Sequence, residues 1–460
     1  MRALAIELND AAITVADGSG VLAMEPGYAF VERGRIHTGA DALKRWRLRP
    51  RQVSNRHWSS LSKEPGSSGV ESGSSSAELA YAQLQSLWQR FGAGATDVFL
   101  VVPGSYRGEQ LGLLLGLAQE CGIPVRALVD AAAAASSRPF PGHQLMYADA
   151  SLHRTSAAIV DQGADAAVVS ERDIASGLAG LTDAFARRFA EVFVLATRLD
   201  PFHHADTEQQ LYDRVPGWLR ELGANDRVEC SLKLADQDVT VTVERSVLGV
   251  AQGFYRASLQ LISQARIPDT SLVVQLSPQL AALPGLVTEL ARLDDAHIEV
   301  LETGHAAKSV LLAIDELLQS SADGVKLIKH LSWRGPPAEV RLTKREPLPK
   351  RTVVGDPPTH VVYRGIVYAV DARGLVIGRE PVQGRRTIVV EGQDGGVSRE
   401  HCELVLRDGE LKLRDLSRYG TFVNEKRVAG ETTLKRADVI RVGSPGAEIQ
   451  AVNMESAGGA

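Results

Sequence analysis

Apolar and polar positions alternate along this chain in two different rhythms. Up to about residue 320, short runs of branched aliphatic residues, LAIEL, DVFLVVPG and AAIVD, read as strands. Between them lie longer stretches, GEQLGLLLGLAQECG and GLAGLTDAFARRFAEVF, whose apolar residues recur at three- and four-residue spacing and predict helices. Strands alternating with helices predict an α/β architecture. After about residue 360 the helical period disappears. THVVYRGIVYAV, GLVIG, RTIVVEG, CELVLRDGELKLRDL and DVIRVG are short β-rich runs separated by turns such as RDGE and SPG, and they predict an all-β sandwich.

Two stretches of biased composition punctuate this pattern. Residues 63–78, KEPGSSGVESGSSSAE, hold too little apolar surface to order themselves and predict a flexible excursion. Residues 321–359 contain GPP, PLPK and DPP, and Lys and Arg outnumber Glu between Lys326 and Arg351. That composition predicts a basic, semi-extended linker. The expected organisation is a large α/β domain over 1–320, a linker over 321–359, a sandwich over 360–450 and a flexible tail over 451–460.

Composition narrows the function classes. The 460 residues suffice for several domains, and 44% apolar content supports sizeable cores. A net charge of −5 excludes a globally basic nucleic-acid binder. The three cysteines, Cys121, Cys230 and Cys402, are scattered, show neither metal spacing nor a disulfide framework, and fit a reducing compartment. The opening MRALAIELNDAAITVADG reads as a strand and a turn rather than a signal peptide. No apolar run approaches the roughly 20 residues that span a bilayer. A cytoplasmic protein without direct membrane insertion is expected.

Two local features invite sharper readings. Lys44 to Arg56, KRWRLRPRQVSNR, has six basic residues around Trp46. It could contact nucleic acid or an anionic lipid surface, but a solvated helix and loop with Trp46 packed inward is the preferred reading, and no nucleic-acid partner is expected. Asp200, His203, His204 and Asp206 are close in sequence, but adjacent side chains rarely converge on one ion, so no metal site is expected.

In the β-rich segment, Gly378-Arg379 closes a short strand. Ser398-Arg399-Glu400-His401 follows about twenty residues on, and Ser417-Arg418-Tyr419-Gly420-Thr421-Phe422-Val423-Asn424 about twenty later. This order resembles the forkhead-associated (FHA) family, which shows GR, then SxxH, then NGTxxN. The resemblance implies a phosphothreonine reader. Phosphothreonine carries nearly two negative charges and three acceptor oxygens, which suit the planar donors of arginine and a serine hydroxyl. By resemblance, Arg379 and Ser398 are phosphate ligands, Arg399 is a second cation, and Tyr419, Gly420 and Thr421 contact the peptide. Gly378 and His401 are structural parts of the loop. Tyr419 stands where the family has the asparagine that holds the peptide backbone, which puts the peptide preference in doubt.

The earlier part of the chain resembles the heat-shock chaperone and actin-like ATPase superfamily, a two-lobed α/β fold. The stretch VFLVVPGSYRGEQLGLLLGLAQECGIPVRALVDAAAAAS runs strand, Pro-Gly, helix, strand, acid and alanine run, as that family does before its Asn-Glu-Pro-Thr-Ala-Ala-Ala. AIELNDAAITV resembles the first phosphate loop, Asp149 to Thr155 the second, and LVVQLSPQLAALPGL the adenosine motif. Gly304-His305-Ala306-Ala307 resembles the start of the closing helix. The implied nucleotide positions are Glu7, Asn9, Asp149, Ser151 and Ser277. Asp130, Asp149 and Thr155 would be the catalytic candidates, holding a metal-bound water, although structural roles at strand ends fit them equally.

The departures all point away from catalysis. Asn9, Ser151 and the pair Ser277-Pro278 replace glycines whose backbone would approach the phosphates, and Glu7 replaces the first-loop Asp. A pseudo-ATPase scaffold is therefore expected. ATP and Mg²⁺ remain the cofactors that the resemblance would imply, and no others are expected. The combined reading is a phosphothreonine-dependent adaptor whose partner is a phosphothreonine-containing protein under a Ser/Thr kinase and phosphatase pair. The alternatives are an active ATPase coupled to phosphopeptide binding, and a secretion or cytoskeletal assembly component.

Overall fold

The computed structural model describes residues 2–234, 237–267, 270–322, 324–340, 357–363, 366–390, 397–418, 420–424, 426–436, 438–443 and 447–453. The chain divides into two compact units, Met1–Lys344 and Arg345–Ala460.

The first unit is built on two six-stranded sheets that share a five-strand core topology, the sixth strand joining opposite edges of the two. In one, Arg2–Glu7 lies antiparallel to Ile13–Asp17, which continues antiparallel to Gly20–Glu25. On its other side run the parallel strands Ala95–Val102 and Val125–Asp130. In the other sheet, Gln144–Ala150 begins the same antiparallel run through Thr155–Gln162 and Asp165–Ile174. Leu272–Leu276 and Ala296–Val300 complete it in parallel. Each half is thus a pair of hairpins followed by two crossovers. The central strands are apolar on both faces, as crossover helices require: Val98 to Val102 are all at most 1% exposed.

The helices follow from local sequence. Ser75 and Glu78 cap the helix Ser76–Phe91 reciprocally, each side chain bonding the other's backbone amide. The helix Leu178–Thr197 places Phe185, Phe189 and Phe193 on one face, four residues apart, and buries them in the larger core of the unit. Ala134, from the short helix Ala131–Ala135, shares a core with Ala306, Ala307 and Val310 of the helix His305–Leu311. The small side chains allow close approach, and His305 Nε2 lies 3.1 Å from the Ala135 carbonyl.

Two expectations change here. The run expected as a flexible excursion, residues 63–78, is instead tied to the rest of the unit, and from Ser76 it opens a helix. Ser54 Oγ donates to Ser68 O at 2.8 Å, Glu71 N donates to Arg51 O at 2.8 Å, and Val70 is buried with Ala29, Val31 and Leu79. One buried valine and several serine-to-backbone bonds order a segment whose composition alone would not. The segment after 321 is likewise not all linker. Leu327–Ile328 pairs with Val125–Asp130 in one sheet, and His330–Ser332 pairs with Asp165–Ile174 in the other. Arg334 then donates to the carbonyls of Ala133, Ala134 and Ser136. The rest of the expected linker, 341–356, and the tail from 454 lie outside the described residues.

The second unit is a β-sandwich. Its six-stranded sheet contains Ile366–Ala369, His360–Tyr363, Ala447–Val452, Val439–Val442, Thr421–Val423 and Lys426–Arg427. Its five-stranded sheet contains Thr387–Val389, Leu375–Gly378, Cys402–Arg407, Glu410–Asp415 and Glu431–Thr433. Cys402 and Leu404, Leu411 and Leu413, and Ile440 and Val442 alternate with outward residues and meet in one buried core. Among the described residues, no helix is long and apolar enough to cross a membrane.

Candidate functional site

Three loops of the sandwich meet at one end. Strand Leu375–Gly378 delivers Arg379, whose amide donates to Ser398 O at 3.1 Å, while His401 N donates to Ile377 O at 2.8 Å. Gly378 is buried against this second loop. A Cβ there would lie 1.8 Å from the Arg399 carbonyl, so only glycine fits. The third loop is tied on by Ser398, whose Oγ accepts from Arg418 N at 3.1 Å. That bond leaves the serine's own proton available to an outside acceptor.

His401 is fully buried between two of these loops. Its Nδ1 accepts from Ser398 N at 3.1 Å and its Nε2 donates to Gly420 O at 3.2 Å, which assigns the neutral tautomer. Burial lowers its pKa, against a smaller opposing effect of the Gly420 bond. Beneath the same loop, Asp415 Oδ1 accepts from Ser417 N at 3.0 Å, Ser417 Oγ at 2.7 Å and Thr421 Oγ1 at 2.7 Å. Burial opposes ionisation of Asp415, but these bonds outweigh it and hold the carboxyl below its ordinary range. Gly420 N donates to Ser417 Oγ at 2.7 Å. Gly420 takes φ 100°, and a Cβ there would lie 2.6 Å from Arg427 Nε.

The exposed groups left on this framework are mainly cationic. Arg379 and Arg399 are exposed, and each has its Nε within ion-pair range of Glu380 Oε1, at 3.6 and 3.7 Å. Arg418 and Arg427 are exposed beside Ser398 and Gly420. The structure therefore gathers Arg379, Ser398, Arg399 and Gly420 at one end of the sandwich. Thr421 is corrected: it is fully buried, and its hydroxyl serves Asp415 rather than the surface. Tyr419 lies outside the described residues. Glu380, Arg418 and Arg427 were not legible as site residues, because they carry no motif. Arg427 reaches Gly420 only through the pairing of strands Thr421–Val423 and Lys426–Arg427.

The nucleotide candidates of the first unit lie where the two sheets' first hairpins face each other. Asn9 Nδ2 donates to Asp149 Oδ2 at 2.9 Å and to Ala150 O at 3.1 Å. Asp10 Oδ1 accepts from Leu152 N at 2.7 Å. Ser151 Oγ accepts from Arg154 N at 3.1 Å. Thr155 is buried and donates to Ser176 O at 2.8 Å, and buried Ser277 caps the short helix Pro278–Ala281. Asp130 caps Ala132 N at 2.9 Å, while its second oxygen has no hydrogen-bond partner among the described residues. The adjoining cleft, of about 470 Å³, is bordered by Asn9, Asp10, Asp149, Ser151, Arg154 and Asp173 among others.

Burial in this region disfavours the charged form of several carboxyls. Burial, with the nearby Asp149 charge, raises Glu7 to about 8. Burial raises Asp10 to about 7 and, with help from Asp130, Glu171 to about 7. Asp130 and Asp149 are also raised, again chiefly by burial. The loop amide of Leu152 is taken by a carboxylate, and Arg154 is paired with Asp173. The Leu152 amide and the Arg154 guanidinium, groups that a phosphate could use, are thus already bonded within the chain. Among the described residues, no group of three or more His, Cys, Asp or Glu is arranged to hold a metal ion.

Within the basic run, Trp46 and Arg47 are engaged in packing, while Lys44, Arg49, Arg51 and Arg56 are exposed. Trp46 meets Tyr28 and Tyr212 edge-on, at 5.2 Å each. The Arg47 guanidinium lies 3.8 Å from the ring centres of both Trp46 and Tyr212, and pairs with Asp183 and Glu208.

Residues 375–443 match the family model described as FHA domain, so the sandwich carries an FHA domain. No curated protein matches the chain.

Proposed function

We propose that this chain is an adaptor that binds a phosphothreonine-containing protein through Arg379, Ser398 and Arg399, and that its first unit is a non-catalytic, ATPase-like body. The observation that carries the reading is the loop junction: two exposed guanidiniums and a serine hydroxyl with an available proton sit on a frame pinned by His401 and Asp415. A rigid frame lowers the entropic cost of ordering donors around phosphate. FHA domains bind phosphothreonine-containing proteins, which agrees with this chemistry. A Ser/Thr kinase and a phosphatase would then set occupancy of the partner site.

The duplicated sheet topology supports an actin-like or chaperone-like ancestry for the body. The bonds of Asn9 and Asp10 across the two hairpins support the non-catalytic reading, since they use groups that a nucleotide would need. Pull-down of the full chain on a phosphothreonine peptide library, beside Arg379→Ala, tests the reader. Retention of wild type and loss of the variant is expected, and equal retention of both would remove the assignment. Titration with ATP and Mg²⁺ tests the body. Heat release or thermal stabilisation would favour the coupled-ATPase alternative, and nucleotide-dependent polymerisation the cytoskeletal or secretion one.

A further inference from the structure

Arg379 and Arg399 come from different loops, yet both face one oxygen of the same carboxylate. Glu380 Oε1 is 3.6 Å from Arg379 Nε and 3.7 Å from Arg399 Nε. Among the described residues, the nearby acids Glu400 and Glu403 are engaged elsewhere, both pairing with Arg385. Among the described residues, Glu380 is therefore the acid placed between the two guanidiniums that the proposed function assigns to phosphate. Nothing in the core requires it there, since its side chain is about half exposed.

We propose that Glu380 acts as a charge filter that makes this site select the phosphothreonine dianion over singly charged anions. The inference rests on the phosphate-binding reading of Arg379 and Arg399. A ligand must take the two arginines from a carboxylate already on them. A glutamate or aspartate side chain exchanges like for like and gains little. A phosphate monoester brings up to about two charges and three acceptor oxygens, enough to hold both guanidiniums and the Ser398 hydroxyl together. The displaced Glu380 stays on the same loop and continues to repel weakly held anions. The filter thus separates phosphothreonine from acidic sequences that resemble it in charge alone, a form of specificity built on repulsion.

The test uses the full-length chain and fluorescent degenerate peptide mixtures with a fixed central phosphothreonine, glutamate or threonine. Wild type, Glu380→Gln, Glu380→Ala and Arg379→Ala are compared by polarisation, with thermal unfolding to confirm native folding. Both Glu380 variants are expected to bind the phosphothreonine mixture about 3- to 10-fold more tightly, the size expected for releasing two exposed ion pairs. They are expected to gain more on the glutamate mixture, so that the preference for phosphothreonine narrows. Unchanged or weaker binding by both variants, with wild type binding and Arg379→Ala silent, overturns the filter alone. Failure of folded wild type to bind the phosphothreonine mixture overturns the underlying reading as well.

Discussion

His401 holds Ser398 and Gly420 together through one buried, neutral imidazole: Nδ1 accepts from the Ser398 amide at 3.1 Å and Nε2 donates to the Gly420 carbonyl at 3.2 Å. Removing the ring leaves a donor and an acceptor without partners in a buried place. His401→Ala is expected to cost the sandwich about 2–4 kcal/mol. It should also weaken phosphopeptide binding in the fraction that stays folded, because the two loops lose their common anchor. Chemical denaturation with the binding assay on the same preparation checks both. Because burial depresses this histidine's pKa, its contribution is present above the unfolded value near 6.5 and is lost as pH falls through the lower folded value. The sandwich should therefore lose stability on acidification below about pH 6.5, and the Ala variant should show less of that loss.

Thr421 separates a framework role from a contact role. Its hydroxyl donates to Asp415 from a fully buried position. Thr421→Val should destabilise the sandwich by about 1–3 kcal/mol, while Thr421→Ser keeps most of the stability. Peptide affinity per folded molecule should change little in either. A large affinity loss in a fully folded Thr421→Ser protein would contradict the buried role.

The two loop glycines should respond differently. At Gly378 a Cβ would strike the Arg399 carbonyl, so Gly378→Ala must move the backbone that carries Ser398 and Arg399. Binding should fall at least tenfold, and the melting temperature should drop. At Gly420 the clash is with the Arg427 side chain, but φ is 100°, so Gly420→Ala is strained by about 1–2 kcal/mol even if Arg427 moves aside. Its effect on binding should be smaller than that of Gly378→Ala.

The order Gly378-Arg379, Ser398 to His401, Ser417 to Asn424 is legible in sequence through its resemblance to the FHA family, and strand alternation supplies only the all-β class around it. Asn424 shows how far such a motif reaches. Its side chain donates to Asp438 and accepts from Val439 N, closing the turn rather than facing a ligand. The acids and bases that complete the site are not legible. Glu380 and Arg427 acquire meaning only when the loops converge. In the first unit, the alternation of strands and helices predicts the class, but not that the topology is used twice. The run at 63–78 is misread because composition does not reveal that Val70 packs with Ala29, Val31 and Leu79. The segment at 327–334 is misread because two- and three-residue edge strands leave no periodic signal.

The carboxyl cluster of the first unit predicts an unusual pH dependence. Glu7 is raised to about 8, Asp10 and Glu171 to about 7, and Asp130 and Asp149 are raised as well. A raised carboxyl means that the folded state binds more protons than the unfolded state, whose carboxyls titrate near 4. Stability of this unit should therefore decline as pH rises from about 4 to about 8 and level off above. Asp10→Asn can still accept from Leu152 N, so it should raise the melting temperature at pH 8 and flatten the slope. A melting temperature of this unit that rises steadily from pH 5 to pH 8 would contradict the assignment.

Phosphate capture by Arg379, Ser398 and Arg399 is the step on which the proposed adaptor role depends. Isothermal titration of the full-length chain with a phosphothreonine peptide selected from the library, and with its unphosphorylated twin, tests this most directly. Binding of the phosphorylated peptide alone is predicted, with loss of at least tenfold in Arg379→Ala and a smaller loss in Ser398→Ala. Equal affinity for the two peptides, or full affinity in folded Arg379→Ala, would contradict it.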